Sequence, residues 1–230
     1  MVCWVVECVK AARNVSQVIV ATDDLQVFDT VRAAGHNVVM TKSNHASGTD
    51  RLAEVVESLA GAEIVVNVQG DEPLLSPETI DCAIEALRTD GECSMATTWE
   101  PIESAADVLN PDVVKVVIDR WDRALYFSRT PIPYPNEAVR RHGSIAQALE
   151  NEPELLTMFR KHTGLYVYRR EFLLQFAGWS PSSLEQAERL EQLRALEHGA
   201  RIKVIQARSS SIGVDTLEDL ERVRAIMEAT

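Results

Sequence analysis

Residues 64–88, IVVNVQGDEPLLSPETIDCAIEALR, decide the fold. The apolar β-branched run Ile64 to Val68 reads as a buried strand, and it stops at a polar turn, Gln69-Gly70-Asp71-Glu72-Pro73. Ser76 and Pro77 then mark a helix start, and Ile80, Ala83, Ile84 and Leu87 recur at helical spacing through Arg88. The same strand–helix unit repeats on both sides. Val18 to Ala21, Val38 to Met40, Ser94 to Thr98, Val113 to Ile118 and Ile202 to Gln206 read as strands, while Leu25 to Ala34 and Asp50 to Ala60 read as amphipathic helices. Gly35 and Gly199 follow helical runs, and Thr216 with Asp219 resembles a capping box. Such alternation predicts an α/β protein with a mostly parallel sheet covered on both faces, whose ligands bind at the carboxyl ends of strands. Thr130 to Lys161, opening with Pro131, Pro133 and Pro135, reads as an excursion from that sheet, either a lid or an ordinary surface insertion.

Composition narrows the partners. The 230 residues carry 35 acidic and 23 Lys or Arg side chains, a formal charge of −12, with 46% apolar and 25% charged residues. An acidic globular chain of this kind is repelled by nucleic-acid backbones and anionic bilayers, so any phosphate must be held locally. Cys3, Cys8, Cys82 and Cys93 form no CxxC pair, which fits a reducing compartment. MVCWVVECVK has too short an apolar run for a signal-peptide core or a membrane span, and a soluble cytoplasmic protein is expected.

Several common chemistries are absent. The closest glycines, Gly61 and Gly70, are nine positions apart, which leaves no G-x-G-x-x-G or P-loop. His36, His45, His142, His162 and His198 form no H-E-x-x-H, and neither a structural zinc set nor G-x-S-x-G occurs. What remains is a set of carboxylates and polar clusters. Asp71 stands at the carboxyl end of a buried strand, where a hard oxygen ligand suits Mg²⁺, although Gly-Asp-Glu-Pro is also plain turn chemistry. Asp215, in Gly213-Val214-Asp215-Thr216, has a similar setting or simply caps the last helix. His45-Ala46-Ser47-Gly48-Thr49-Asp50-Arg51 can offer backbone N–H groups and a cation to a base or phosphate, or only an N-cap. In Glu185 to His198, Leu190, Leu193 and Leu196 form a core stripe, while Glu188, Glu191 and Gln192 fall off it and read by default as a solvated face.

The chain resembles the 3-deoxy-manno-octulosonate cytidylyltransferases, the CMP-KDO synthetases of bacterial lipopolysaccharide biosynthesis. The segments that carry the likeness are VIVATDD (18–24), HASGTDRLAEV (45–55), IVVNVQGDEPLL (64–75), NPDVVKVVID (110–119), ALYFSRTPIPY (124–134), HTGLYVYR (162–169), LEQLRALEHG (190–199) and GVDTLEDLERV (213–223). They run in order through nearly the whole chain.

The resemblance implies a three-layer, Rossmann-like fold of the nucleotide-diphospho-sugar transferase type. It implies one cytidylyltransferase domain over residues 1–230, with a lid and dimerisation region at 130–200 and a homodimer. The implied activity moves CMP from CTP to KDO and releases pyrophosphate with Mg²⁺ as cofactor, a reaction that depends on positioning and charge neutralisation. By the same resemblance Asp71 and Asp215 hold the metal and, with Arg129, form the catalytic set. Ser47, Gly48, Thr49, Arg51 and Gln69 face the nucleotide, and Arg129, His162, Tyr166, Glu191 and Gln192 face the sugar acid, Arg129 through its planar fork.

Two alternatives stay open beside this: a cytidylyltransferase for 8-amino-KDO or sialic acid, and a non-catalytic homologue that binds or dimerises. Family members also open with a strand and a basic P-A-R-x-x-S-x-R-L-P-G-K-P loop before the helix that Val2 to Arg13 resembles. The expectation is that these 230 residues bind CTP weakly and that such a loop restores turnover.

Overall fold

The computed structural model describes residues 1–210, 213–214 and 216–228. Along the chain run α1 (Val2–Lys10), β1 (Val20–Thr22), α2 (Leu25–Ala33), β2 (Val38–Met40), α3 (Gly48–Glu57), β3 (Ile64–Asn67) and α4 (Pro77–Thr89). There follow β4 (Met95–Pro101), α5 (Ala105–Leu109), β5 (Lys115–Ile118), β6 (Ala124–Ser128), α6 (Asn136–His142), α7 (Ile145–Asn151) and a 3-10 turn (Pro153–Met158). The last elements are β7 (Arg160–Arg169), α8 (Arg170–Ala177), α9 (Ser183–Glu188), α10 (Gln192–Glu197), β8 (Ile202–Gln206) and α11 (Leu217–Glu228). Among the described residues no helix is long and apolar enough to cross a membrane. These elements gather into two compact units, Met1–Thr89 with Leu165–Trp179 and Ala207–Thr230, and Asp90–Gly164 with Ser180–Gln206.

In the first unit β1 and β2 pair in parallel, and β3 pairs antiparallel with the second half of β7, Ile64 opposite Arg169 and Asn67 opposite Tyr166. The apolar spacing of α4 does what its sequence predicts: Ile80, Ala83, Ile84 and Leu87 are all buried. Each large side chain there stabilises the fold by about 1.5–3 kcal/mol. Helix starts follow their caps. Asp24 accepts the N–H groups of Gln26 and Val27 at 2.7 and 2.9 Å and so opens α2. Ser47 and Asp50 form a capping box that starts α3 at Gly48, two residues before the apolar periodicity begins. An aromatic cluster of Tyr168, Phe172, Phe176 and Trp179 packs around α8.

In the second unit β4 and β8 pair in parallel, Met95 opposite Ile202, while β5 pairs antiparallel with β6 and meets β7 at Lys161. The α/β class is as expected, but the sheet is mixed. The antiparallel pairing comes from β6, which pairs back on β5, and from β7, which carries too many polar residues, among them His162 and Thr163 beside Gly164, to read as a buried strand. The excursion beginning at Thr130 forms α6, α7 and the 3-10 turn, and Leu149 and Phe159 from it fill a core with Ile102 and Val108.

Candidate active site

In the first unit the site grows from the carboxyl end of β3. Gln69 and Gly70 are exposed and Asp71 is half-buried in the turn that follows. The carbonyl of Asp71 accepts a hydrogen bond from the N–H of Val214 at 2.9 Å. Two segments that sequence spacing could not connect, Gln69-Gly70-Asp71 and Gly213-Val214, are therefore joined backbone to backbone. Asp215 itself lies outside the described residues. The start of α11 is capped reciprocally by its neighbours: Thr216 N–H donates to Asp219 at 3.0 Å, and Asp219 N–H donates to Thr216 Oγ1 at 3.1 Å. Thr216 and Asp219 thus form a capping box at the start of α11.

Among the described residues the Asp71 carboxylate takes no hydrogen bond and no ion pair, and no group of three or more His, Cys, Asp or Glu is arranged to hold a metal ion. One hard oxygen donor at a strand end suits a divalent cation, which can take one or two carboxylates and share its remaining shell with water and phosphate.

The 45–51 cluster is built as a helix entrance. The Ser47 hydroxyl accepts the Asp50 N–H at 3.2 Å, Thr49 is buried, and Gly48 has open space where a Cβ would stand. Arg51 reaches back to the carboxyl ends of β2 and β1, donating to Thr41 Oγ1 at 2.5 Å and pairing with Asp23 at 3.2 Å. That hydrogen bond from Arg51 holds the Asp23 carboxyl below the usual carboxylate range. His45 is paired with Glu54, whose carboxyl is lowered by the contact. No hydrogen bond or ion pair joins Arg51 to Asp71 among the described residues. Tyr166 stands opposite Asn67 in the β3–β7 ladder, two residues before Gln69, with its ring stacked on Tyr168 at 6.0 Å.

The second unit carries Arg129, His162, Glu191 and Gln192. Arg129, just past β6, donates from Nε to the Glu188 carbonyl at 2.7 Å and from Nη1 to the Pro111 carbonyl at 2.9 Å. His162 shares a hydrogen bond with Thr97 Oγ1 at 2.8 Å through Nε2 and meets the Phe127 ring edge-on at 4.9 Å. Burial of this imidazole pushes it down to about 3, so the ring is neutral at ordinary pH. Glu191 pairs with Arg194 at 3.3 Å, and Gln192 is buried at the start of α10.

The solvated face expected for Glu188 and Gln192 is not what forms. Glu188 accepts hydrogen bonds from Ser128 Oγ at 2.7 Å and Arg129 N–H at 3.0 Å, and Gln192 is only 3% exposed. Sequence reasoning also passed over Thr97 and Lys115. The signal for Lys115 was present in Val113-Val114-Lys115-Val116-Val117, a single charge inside an apolar strand run. A charge so placed must find partners. Its ammonium is fully buried and donates to the carbonyls of Asn110, Val113 and Arg129 at 2.9, 2.6 and 2.6 Å. Burial pushes its ammonium below the usual lysine range, with Glu188 opposing that shift.

A family model described as Cytidylyltransferase matches residues 1–205. A 3-deoxy-manno-octulosonate cytidylyltransferase of Geobacter sulfurreducens is 49% identical over 223 residues, covering 97% of this chain and 87% of that protein. One from Pseudomonas fluorescens is 46% identical over 100% of this chain and 88% of its own length. Among solved structures, CMP:2-keto-3-deoxy-manno-octonic acid synthetase complexed with CTP superposes with a TM-score of 0.86 at 38% identity, covering 99% of this chain and 87% of the other. A 4-diphosphocytidyl-2C-methyl-D-erythritol synthase from Anaerococcus prevotii, at 14% identity and a TM-score of 0.60, shares the fold.

Proposed function

The chain belongs to the cytidylyltransferase family, and from that premise we propose that it transfers CMP from CTP to 3-deoxy-manno-octulosonate, giving CMP-KDO and pyrophosphate. The observation that carries this reading is the 49% identity across 97% of the chain to a cytidylyltransferase named for that sugar acid.

In this reading the anomeric hydroxyl of KDO displaces pyrophosphate from the α-phosphate of CTP. Asp71 and Asp215 hold Mg²⁺, which supplies charge neutralisation at the phosphates. The join between Val214 N–H and the Asp71 carbonyl supports the pairing of their segments. Ser47, Gly48, Thr49, Arg51 and Gln69 serve the nucleotide. Gly48 opens α3, and the first turn of a helix favours anionic or carbonyl oxygens.

Arg129 takes the KDO carboxylate, and Glu191, Gln192 and Tyr166 address its hydroxyls. His162 acts as a neutral hydrogen-bonding ring, because its burial keeps it uncharged. A homodimer through the second half of the chain belongs to the same reading. Four free cysteines suit a cytoplasmic setting.

Asp71→Asn tests the metal role. Pyrophosphate release from CTP with KDO and Mg²⁺ should fall by at least about a hundredfold in a variant that melts normally, since a carboxylate ligand is lost at the reacting phosphates. Retained turnover would remove Asp71 from the metal set.

A further inference from the structure

We propose that Glu188 and Lys115 are positioning residues for Arg129, fixing the guanidinium in the pose in which it meets the sugar-acid carboxylate; this rests on the reading of Arg129 as a sugar-side residue. Arg129 is held through its backbone and through the inner part of its side chain. Its N–H donates to Glu188 Oε2 at 3.0 Å, its carbonyl accepts from Lys115 Nζ at 2.6 Å, and Nε donates to the Glu188 carbonyl at 2.7 Å. Nη1 donates to the Pro111 carbonyl at 2.9 Å.

Glu188 is the last residue of α9, and Arg189 turns the chain with φ 54° in the left-handed region immediately after it. Its carbonyl is therefore one of the unpaired acceptors of a helix end, and Arg129 Nε satisfies it. The other Glu188 oxygen takes Ser128 Oγ at 2.7 Å, and Ser128 Oγ accepts Thr130 N–H at 3.1 Å, so residues on both sides of Arg129 share the anchor.

Lys115 has nothing left to offer a ligand, because its three protons point to the carbonyls of Asn110, Val113 and Arg129. A buried ammonium is costly, and an apolar side chain of similar length would fill the space without that cost. What only the ammonium supplies is a tie between the carbonyl of Arg129 and the 110–113 loop. That loop also contributes the Pro111 carbonyl that holds Nη1.

The guanidinium has five N–H groups, and these bonds use Nε and one proton of Nη1. The three that remain sit on Nη1 and Nη2, the terminal edge of the fork. A carboxylate is therefore met end-on by a side chain whose rotamer is already set, and less ordering entropy is lost on binding.

The test is a set of double-mutant cycles: Glu188→Gln and Lys115→Met, each alone and combined with Arg129→Ala. The KM for KDO is measured at saturating CTP, and CTP affinity is titrated separately. A displaced guanidinium should raise the KM for KDO about tenfold or more in each single variant, with CTP affinity within about twofold of the parent. In the Arg129→Ala background the same changes should add less than about twofold.

If Arg129→Ala is impaired for KDO but Glu188→Gln and Lys115→Met are neutral or fully additive with it, the positioning role is overturned and the reading of Arg129 stands. If Arg129→Ala leaves the KM for KDO unchanged, the reading of Arg129 itself falls and takes the positioning role with it. A loss shared equally by CTP and KDO, and tracking a fall in melting temperature, marks a purely structural role and overturns the proposal. Should Glu188→Gln fail to fold, Glu188→Asp takes its place in the same cycle.

Discussion

Acidification should destabilise this protein through His162, and the amount can be worked from the structure. The ring packs against Phe127 and is bonded to Thr97 Oγ1, and its burial lowers the imidazole to about 3, against 6.5 for an unhindered histidine. The folded chain therefore binds fewer protons here than the unfolded chain, so the contribution is complete above pH 6.5 and is lost as pH falls from 6.5 toward 3. Each pH unit inside that window costs about 1.4 kcal/mol, which makes about 2 kcal/mol between pH 6.5 and pH 5.0. Other groups titrate over the same range, so the assay compares urea unfolding of the parent with that of His162→Gln at pH 7.5, 6.0 and 5.0. The stability difference between the two should shift by about 2 kcal/mol in favour of the variant on going to pH 5.0. A parallel NMR titration should show the folded His162 ring without an inflection near 6.5. A difference that does not move with pH, or a normal histidine titration in the folded protein, would refute the reasoning and with it the role of His162 as a neutral hydrogen-bonding group.

Two further outcomes follow from local geometry. Ser47→Ala removes one half of the α3 capping box and should cost about 1 kcal/mol, seen as a melting temperature lower by about 2–4 °C; an unchanged melting curve would contradict the cap. Cys93 is buried and its thiol is pushed up to about 11, mainly by burial with the Asp90 carboxylate adding to it. It should escape iodoacetamide at pH 8 in the folded protein and react only after denaturation, followed by mass spectrometry; rapid labelling of native protein would contradict that burial.

Much of the fold was legible where one local rule sufficed. Ile64–Asn67, Lys115–Ile118 and Ile202–Gln206 are short β-branched runs buried in a sheet, and α4 carries an apolar stripe with its first turn marked by Ser76 and Pro77. β7 was not legible, because a strand with His162, Thr163 and Gly164 in its middle is made by its partners rather than by its own pattern. The site divides in the same way. Asp71 could be placed at a strand end from the run before it, whereas its meeting with Val214 depends on a hydrogen bond between residues far apart in the chain. Glu188 looked like one more charge on a solvated face, and only the approach of Ser128 and Arg129 turns it into an anchor. Charged residues are the hardest to read from sequence for this reason: a buried ion and a solvated one have the same letter, and only the partners distinguish them.

The most direct test is to incubate the protein, expressed from its whole coding sequence, with CTP, KDO and Mg²⁺ and to follow the reaction by ³¹P NMR. The account predicts that the CTP resonances are replaced by pyrophosphate and a single phosphodiester signal of CMP-KDO, that this does not occur when KDO is omitted, and that sialic acid does not substitute for it. Cleavage of CTP without KDO, or efficient CMP transfer to sialic acid with none to KDO, would contradict the assigned reaction.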